Sequence, residues 1–217
     1  MRAQFALLAV ALLAIEASAD TIRMSTNDFS AGNGGEFTAT VLTGNAGLTG
    51  DAPTSLSATS FQTFCLEAGE NIRSGNIYSF SLSTAAMLGG GGATNGMDPL
   101  DARTAFLYTR FRQGNLPGYD YSPAGREDSA RRLQRAIWFI EEESGGANNA
   151  FVALANAAVA PGGEWFGVGI GDVRVMNLSS AEFPNAQDQL TLLPRIPTPG
   201  AAALLGLAGL AGFRRRR

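Results

Sequence analysis

The sequence predicts an α+β protein: an antiparallel β-sheet or sandwich carrying an inserted helical subdomain of two to three helices. Three observations lead there. The first part of the chain, to about residue 83, is rich in Gly, Ser, Thr and Asn, with short β-branched and aromatic runs. Apolar residues then recur at helical spacing between about 99 and 160. Short alternating runs return after residue 172. The order β, α, β places a helical layer against a sheet formed from both ends of the chain. There is no internal repeat.

Residues 1–19 have Arg2, an apolar run over 5–15 and a small-x-small site at Ala17-Ser18-Ala19, the pattern of a secretory signal peptide cleaved before Asp20. The domain is then expected over 20–195. Residues 37–42 and 76–82 alternate as strands, and Asn33-Gly34-Gly35 and 50–57 read as turns or loops. Between them, Phe61, Thr63 and Cys65 fall on one face of a further strand.

The glycine run 89–92 separates the two halves, and no Gly-Lys-Ser/Thr follows to make it a phosphate loop. Asp98-Pro99 reads as an N-cap with Pro at the first helical position, opening a helix to Arg112 with Leu100, Leu107 and Phe111 on one face. Residues 114–125 form a Pro/Gly/Tyr loop. In the next helix Ala130, Leu133, Ile137 and Ile140 make an apolar stripe, Gln134 and Trp138 flank it one turn apart, and Glu127-Arg131 and Asp128-Arg132 are expected as surface pairs. Its end, Glu141-Glu142-Glu143, reads as a solvated face. An Ala-rich helix over 149–160 stops at Pro161-Gly162-Gly163, and strands are expected at 173–177 and 190–193.

Composition excludes several chemistries. All 16 basic residues are Arg and there is no His. A Ser-His-Asp or Cys-His centre and a His-bearing zinc site are therefore ruled out. No cofactor, metal or turnover chemistry is expected, and the protein is read as a non-enzyme. Without Arg2, Glu16 and the four terminal Arg, 11 basic and 18 acidic residues remain, a net charge of −7. That balance speaks against a nucleic-acid partner. A single Cys in an exported chain is unpaired, intermolecular or chemically committed.

Two motifs address that last choice. Phe64-Cys65-Leu66-Glu67 and Gln134-Arg135-Ala136-Ile137-Trp138 resemble the aromatic-Cys-apolar-acidic and Gln-x-Ala-apolar-Trp motifs of thioester-domain bacterial surface proteins, with Leu133 where that family usually has Thr. The resemblance implies a thioester between Cys65 and Gln134, with Phe64, Glu67, Ile137 and Trp138 around it, able to acylate an amine on a partner surface or matrix. The plainer alternative is a structural matrix or biofilm protein in which Cys65 is a small buried hydrophobe.

The C-terminal residues 196–217 form a second address. Pro197-Thr198-Pro199-Gly200 precedes an apolar run of about 13 residues, roughly 20 Å as a helix, and the cluster Arg214, Arg215, Arg216 and Arg217. This resembles the PEP-CTERM sorting signal, with Thr198 in place of the usual Glu. It implies membrane association through the tail until an exosortase-type enzyme processes it, and a location in the bacterial envelope, surface or extracellular matrix.

Overall fold

The computed structural model describes residues 20–31, 34–44, 55–88 and 93–193. The expected signal peptide and sorting tail, with Pro197 to Gly200 and the terminal Arg cluster, lie outside the described residues. Among the described residues no helix is long and apolar enough to cross a membrane.

The fold is α+β. Seven strands form one antiparallel sheet: β1 (Thr21–Ala31), β2 (Gly34–Thr43), β3 (Ser55–Ser57), β4 (Ser60–Thr63), β5 (Ile77–Ser83), β8 (Val173–Ser179) and β9 (Ala186–Leu192). Their order across the sheet is β3-β4-β2-β1-β5-β8-β9. A two-stranded ribbon, β6 (Ala85–Met87) with β7 (Met97–Pro99), leads into α1 (Ala102–Arg112), α2 (Arg126–Ile140) and α3 (Ala150–Val159), inserted before β8.

The sheet curls back on itself just after β4. There Cys65 bridges Gln189, Leu66 N donates to Asp188 O at 3.0 Å, and Leu190 N donates to Phe64 O at 3.0 Å. The chain segment leaving β4 thereby pairs with the edge strand β9, and Tyr108 of α1 ties the seam by donating its hydroxyl to Gln62 O and Leu190 O.

Strand alternation divides the interior in two. Phe64 and Leu66 enter a core formed with the three helices, where Phe64 meets Phe111 edge-on at 4.9 Å. Cys65 points to the other side, into a core built from the sheet residues Ile22, Met24, Phe37, Phe61, Tyr78 and Met176. Trp138 joins that second core from α2.

Several local expectations are corrected. Asp98 and Pro99 belong to β7, where Pro99 pairs with Ala85; the cap of α1 is Asp101, whose carboxylate accepts from Arg103 N at 2.7 Å. Gly34 and Gly35 open β2 as strand residues, and residues 55–57 form β3. β1 was not anticipated from the sequence, although Ile22 and Met24 alternate inward with exposed Arg23 between them. Asp128 pairs with both Arg131 and Arg132, and Glu127 is not the partner of Arg131. Glu141 is buried: its carboxylate accepts from Asp101 N at 3.4 Å, at the positive end of α1, which offsets part of the cost of burying it.

Candidate functional site

α2 packs against β1 and β2. Its first turn is held by Glu36 of β2, whose fully buried carboxylate takes two hydrogen bonds from Arg126, at 2.7 and 2.9 Å, and a third from the Tyr119 hydroxyl. Arg126 also lies over the Phe29 ring at 4.7 Å. A bidentate buried pair of this kind sets register and angle more than it adds net stability. Two residues before Glu36, Gly34 lies directly against α2. A Cβ at Gly34 would stand 2.5 Å from Gln134 Cγ and 2.9 Å from Trp138 Cη2. Only a residue without a side chain lets strand and helix approach this closely.

The approach delivers Gln134 to Cys65. The Gln134 amide grips the Cys65 backbone at both ends: Nε2 donates to Cys65 O at 2.8 Å, and Cys65 N donates to Oε1 at 3.3 Å. The Cys65 thiol donates to the same Oε1 at 3.2 Å. The amide carbon is one carbonyl bond, about 1.2 Å, from that oxygen. Both residues are essentially without solvent exposure. With Gln189 bridging Cys65 from the other side, the amide occupies the place of a strand partner.

The electrostatics keep the thiol neutral. Burial first, and the Glu67 carboxyl second, push the Cys65 thiol well above its ordinary range; its own backbone N–H and the Trp138 indole pull the other way. The buried indole Nε1 makes no hydrogen bond while the thiol is neutral, so its N–H is left for charge that develops on the sulfur.

Glu67 is also buried. It accepts from Asp188 N at 3.1 Å through Oε2, while Oε1 has no partner. Asp188, by contrast, takes hydrogen bonds from Met87 N, Leu178 N and Asn177 Nδ2. Burial, and then the neighbouring Asp188 charge, raise Glu67. The proton of this coupled pair therefore resides on Glu67, since three donors favour the ionised form of Asp188.

The structure thus brings together Cys65, Gln134 and Trp138, with Glu67 two residues along the chain. Phe64 and Ile137 are buried in the helix-side core and anchor the segment and the helix from behind, not from the thiol side. Sequence reasoning missed Gly34, which it read as a turn, and Asp188, whose bearing on Glu67 depends on the β9 seam. It also missed Glu143, whose Oε2 accepts from Ala68 N at 3.1 Å just beyond the Cys65 segment.

A cleft of about 160 Å³ on the outer side of this contact is lined by Gly34, Gly35, Arg131, Gln134, Arg135, Trp138 and Gly145; Cys65 is not part of the lining. A glutamine amide and a thiol held in this way have the components for acyl transfer, and Gln134 also lines a surface cleft. No protein-family model, curated protein or solved structure matches this chain.

Proposed function

We propose that Cys65 and Gln134 form an internal thioester, and that the protein is an exported bacterial surface module that uses it once, to acylate an amine on a partner surface. The observation that carries this reading is the 3.2 Å contact between Cys65 Sγ and Gln134 Oε1, with the amide oriented by both backbone groups of Cys65. In the forming step the sulfur bonds to the amide carbon and the carbon–nitrogen bond breaks. The S–H proton leaves with the nitrogen as ammonia, so no oxidant or second reactant is needed. The Cys65 N–H, already on Oε1, stabilises the charge that develops there, as an oxyanion donor does. In the acylation step an amine nitrogen replaces sulfur on the same carbon. The leaving thiolate meets the unpartnered Trp138 N–H, and the amine's proton returns to sulfur. One acylation consumes the bond, so the module is an anchor and not a turnover enzyme.

The addresses at 1–19 and 196–217 complete the reading. The first exports the chain, and the second holds it at the membrane until an exosortase-type enzyme acts on the Pro197-Thr198-Pro199 segment. Intact mass tests the site: the wild-type domain is expected about 17 Da, one ammonia, below its sequence mass, and Cys65→Ala to show no deficit. Methylamine should open the bond and leave one methylamide at Gln134, with the chain about 14 Da above its sequence mass. A wild-type domain of full mass with a titratable thiol ends this reading.

One observation favours a second reading, a structural matrix protein with an inert cysteine. The thiol, the amide and the Cys65 backbone satisfy one another by hydrogen bonds alone. The same mass measurement separates the two.

A further inference from the structure

The cleft lined by Gln134 carries positive charge at its rim. On α2, positions 131, 135 and 138 recur at helical spacing, so Arg131 and Arg135 stand on the same face as the Trp138 wall, both exposed beside the opening. Among the described residues the remaining lining is glycine, the indole and Gln134, with no carboxylate. Among the described residues Arg131 pairs with Asp128, which it shares with Arg132, so this carboxylate serves two guanidiniums. Arg135 donates to the Gly145 carbonyl, and among the described residues no carboxylate pairs with it. The domain as a whole is acidic, which makes this cationic rim a local reversal of its field.

Gly34, Gly35 and Gly145 put no side chains into the cleft, whose volume of about 160 Å³ has room for a short unbranched chain. Guanidinium forks match carboxylate, sulfate and phosphate oxygens, and they repel a second ammonium. On the thioester reading given above, we propose that the acyl acceptor is a primary amine on a slender chain bearing an anionic group a few bonds away, and that Arg131 and Arg135 recognise that group. The acceptors excluded are polycationic amines and lysines in basic surroundings.

The test uses the folded domain with its thioester and three unbranched amines of similar basicity: propylamine, 4-aminobutanoate and 1,4-diaminobutane. Adduct formation is followed by intact mass at low ionic strength. The expected order is 4-aminobutanoate, then propylamine, then diaminobutane. The first and last should differ on the order of tenfold, because two unit charges act across several ångströms of wet surface. Half-molar salt should compress the spread, since such charges are screened. In the Arg131→Gln/Arg135→Gln double variant the three rates should converge. Equal rates in the wild type overturn the proposal and leave the thioester standing, as does a preference that survives the double variant. If no amine forms an adduct and the mass shows no ammonia deficit, the thioester reading itself falls and takes this proposal with it.

Discussion

Gly34→Ala tests the geometry that delivers Gln134. The added methyl would sit 2.5 Å from Gln134 Cγ and 2.9 Å from Trp138 Cη2, both well inside van der Waals contact. Gly34 does not have the left-handed backbone of Gly35, whose φ is 95°, so an alanine costs nothing in backbone strain. The effect is therefore steric. Gln134 has no easy retreat, because its amide is bonded at both ends to Cys65, and Trp138 is buried in the sheet-side core.

Two responses are open. If α2 is pushed away, the strain of overpacking costs about 1–3 kcal/mol. If the Gln134 side chain swings out instead, two backbone groups of Cys65 lose their partner at roughly 1–3 kcal/mol each. Either way urea denaturation should show a loss of about 1 kcal/mol or more. Thioester formation should slow by on the order of a hundredfold, the cost of misplacing reacting groups by about 1 Å. Gly69→Ala serves as the control, since a Cβ there meets nothing within 4 Å. A Gly34→Ala domain with wild-type stability and an unchanged ammonia deficit would refute the idea that this close approach positions the pair.

Two further predictions concern the groups that support the site. Truncating Arg126 to Ala leaves the fully buried Glu36 carboxylate without its bidentate partner, and should cost about 3–5 kcal/mol in urea denaturation; little change would mean that Tyr119 alone suffices. Stability should fall as pH rises from about 5 to 8. Burial, and then the Asp101 and Asp98 charges, lift Glu141 to about 8, so the folded state keeps a proton that the unfolded chain gives up near its ordinary value. Glu141 contributes its stabilisation fully below that ordinary value. It loses it as pH climbs through the folded value, at up to roughly 1.4 kcal/mol per pH unit. Glu141→Gln should flatten the profile, and an unchanged slope would assign it to other carboxyls such as Glu67, which burial moves in the same direction.

How much was legible in the sequence depended on whether the deciding contact was local. The stripe Ala130, Leu133, Ile137 and Ile140 is buried as its spacing requires, and the Asn149 cap of α3 accepts from Phe151 N at 2.9 Å. Asp98-Pro99 obeyed the local rule for a helix start, but Asp101 obeys it too, and pairing with β6 decides between them. Glu141 looked like part of a solvated run because its partner, the start of α1, is 40 positions away. The meeting of Cys65 with Gln134 could be expected only through the resemblance of two short motifs. Gly34 could not be expected at all. Its neighbour in space is one hundred residues along the chain, and a glycine pair after Asn33 carries an ordinary turn signal.

The glutamine cannot discriminate between an inert and a reactive site, whereas the cysteine can. Gln134 bonds to the backbone N–H and carbonyl of Cys65, which any residue at 65 would supply, so a structural role alone accounts for the amide. Nothing in that role needs sulfur. A covalent bond, however, would close a loop between positions 69 apart in sequence. By the chain-entropy model for cross-links, restricting the unfolded state over such a loop is worth about 4 kcal/mol. Methylamine removes that cross-link without altering a residue, leaving the amide as its methylamide. The urea midpoint of the treated domain is therefore expected to fall. Its denaturant slope is expected to rise, because an unlinked unfolded chain exposes more surface. If the site is only hydrogen-bonded, methylamine has no bond to open, and both midpoint and slope stay where they were.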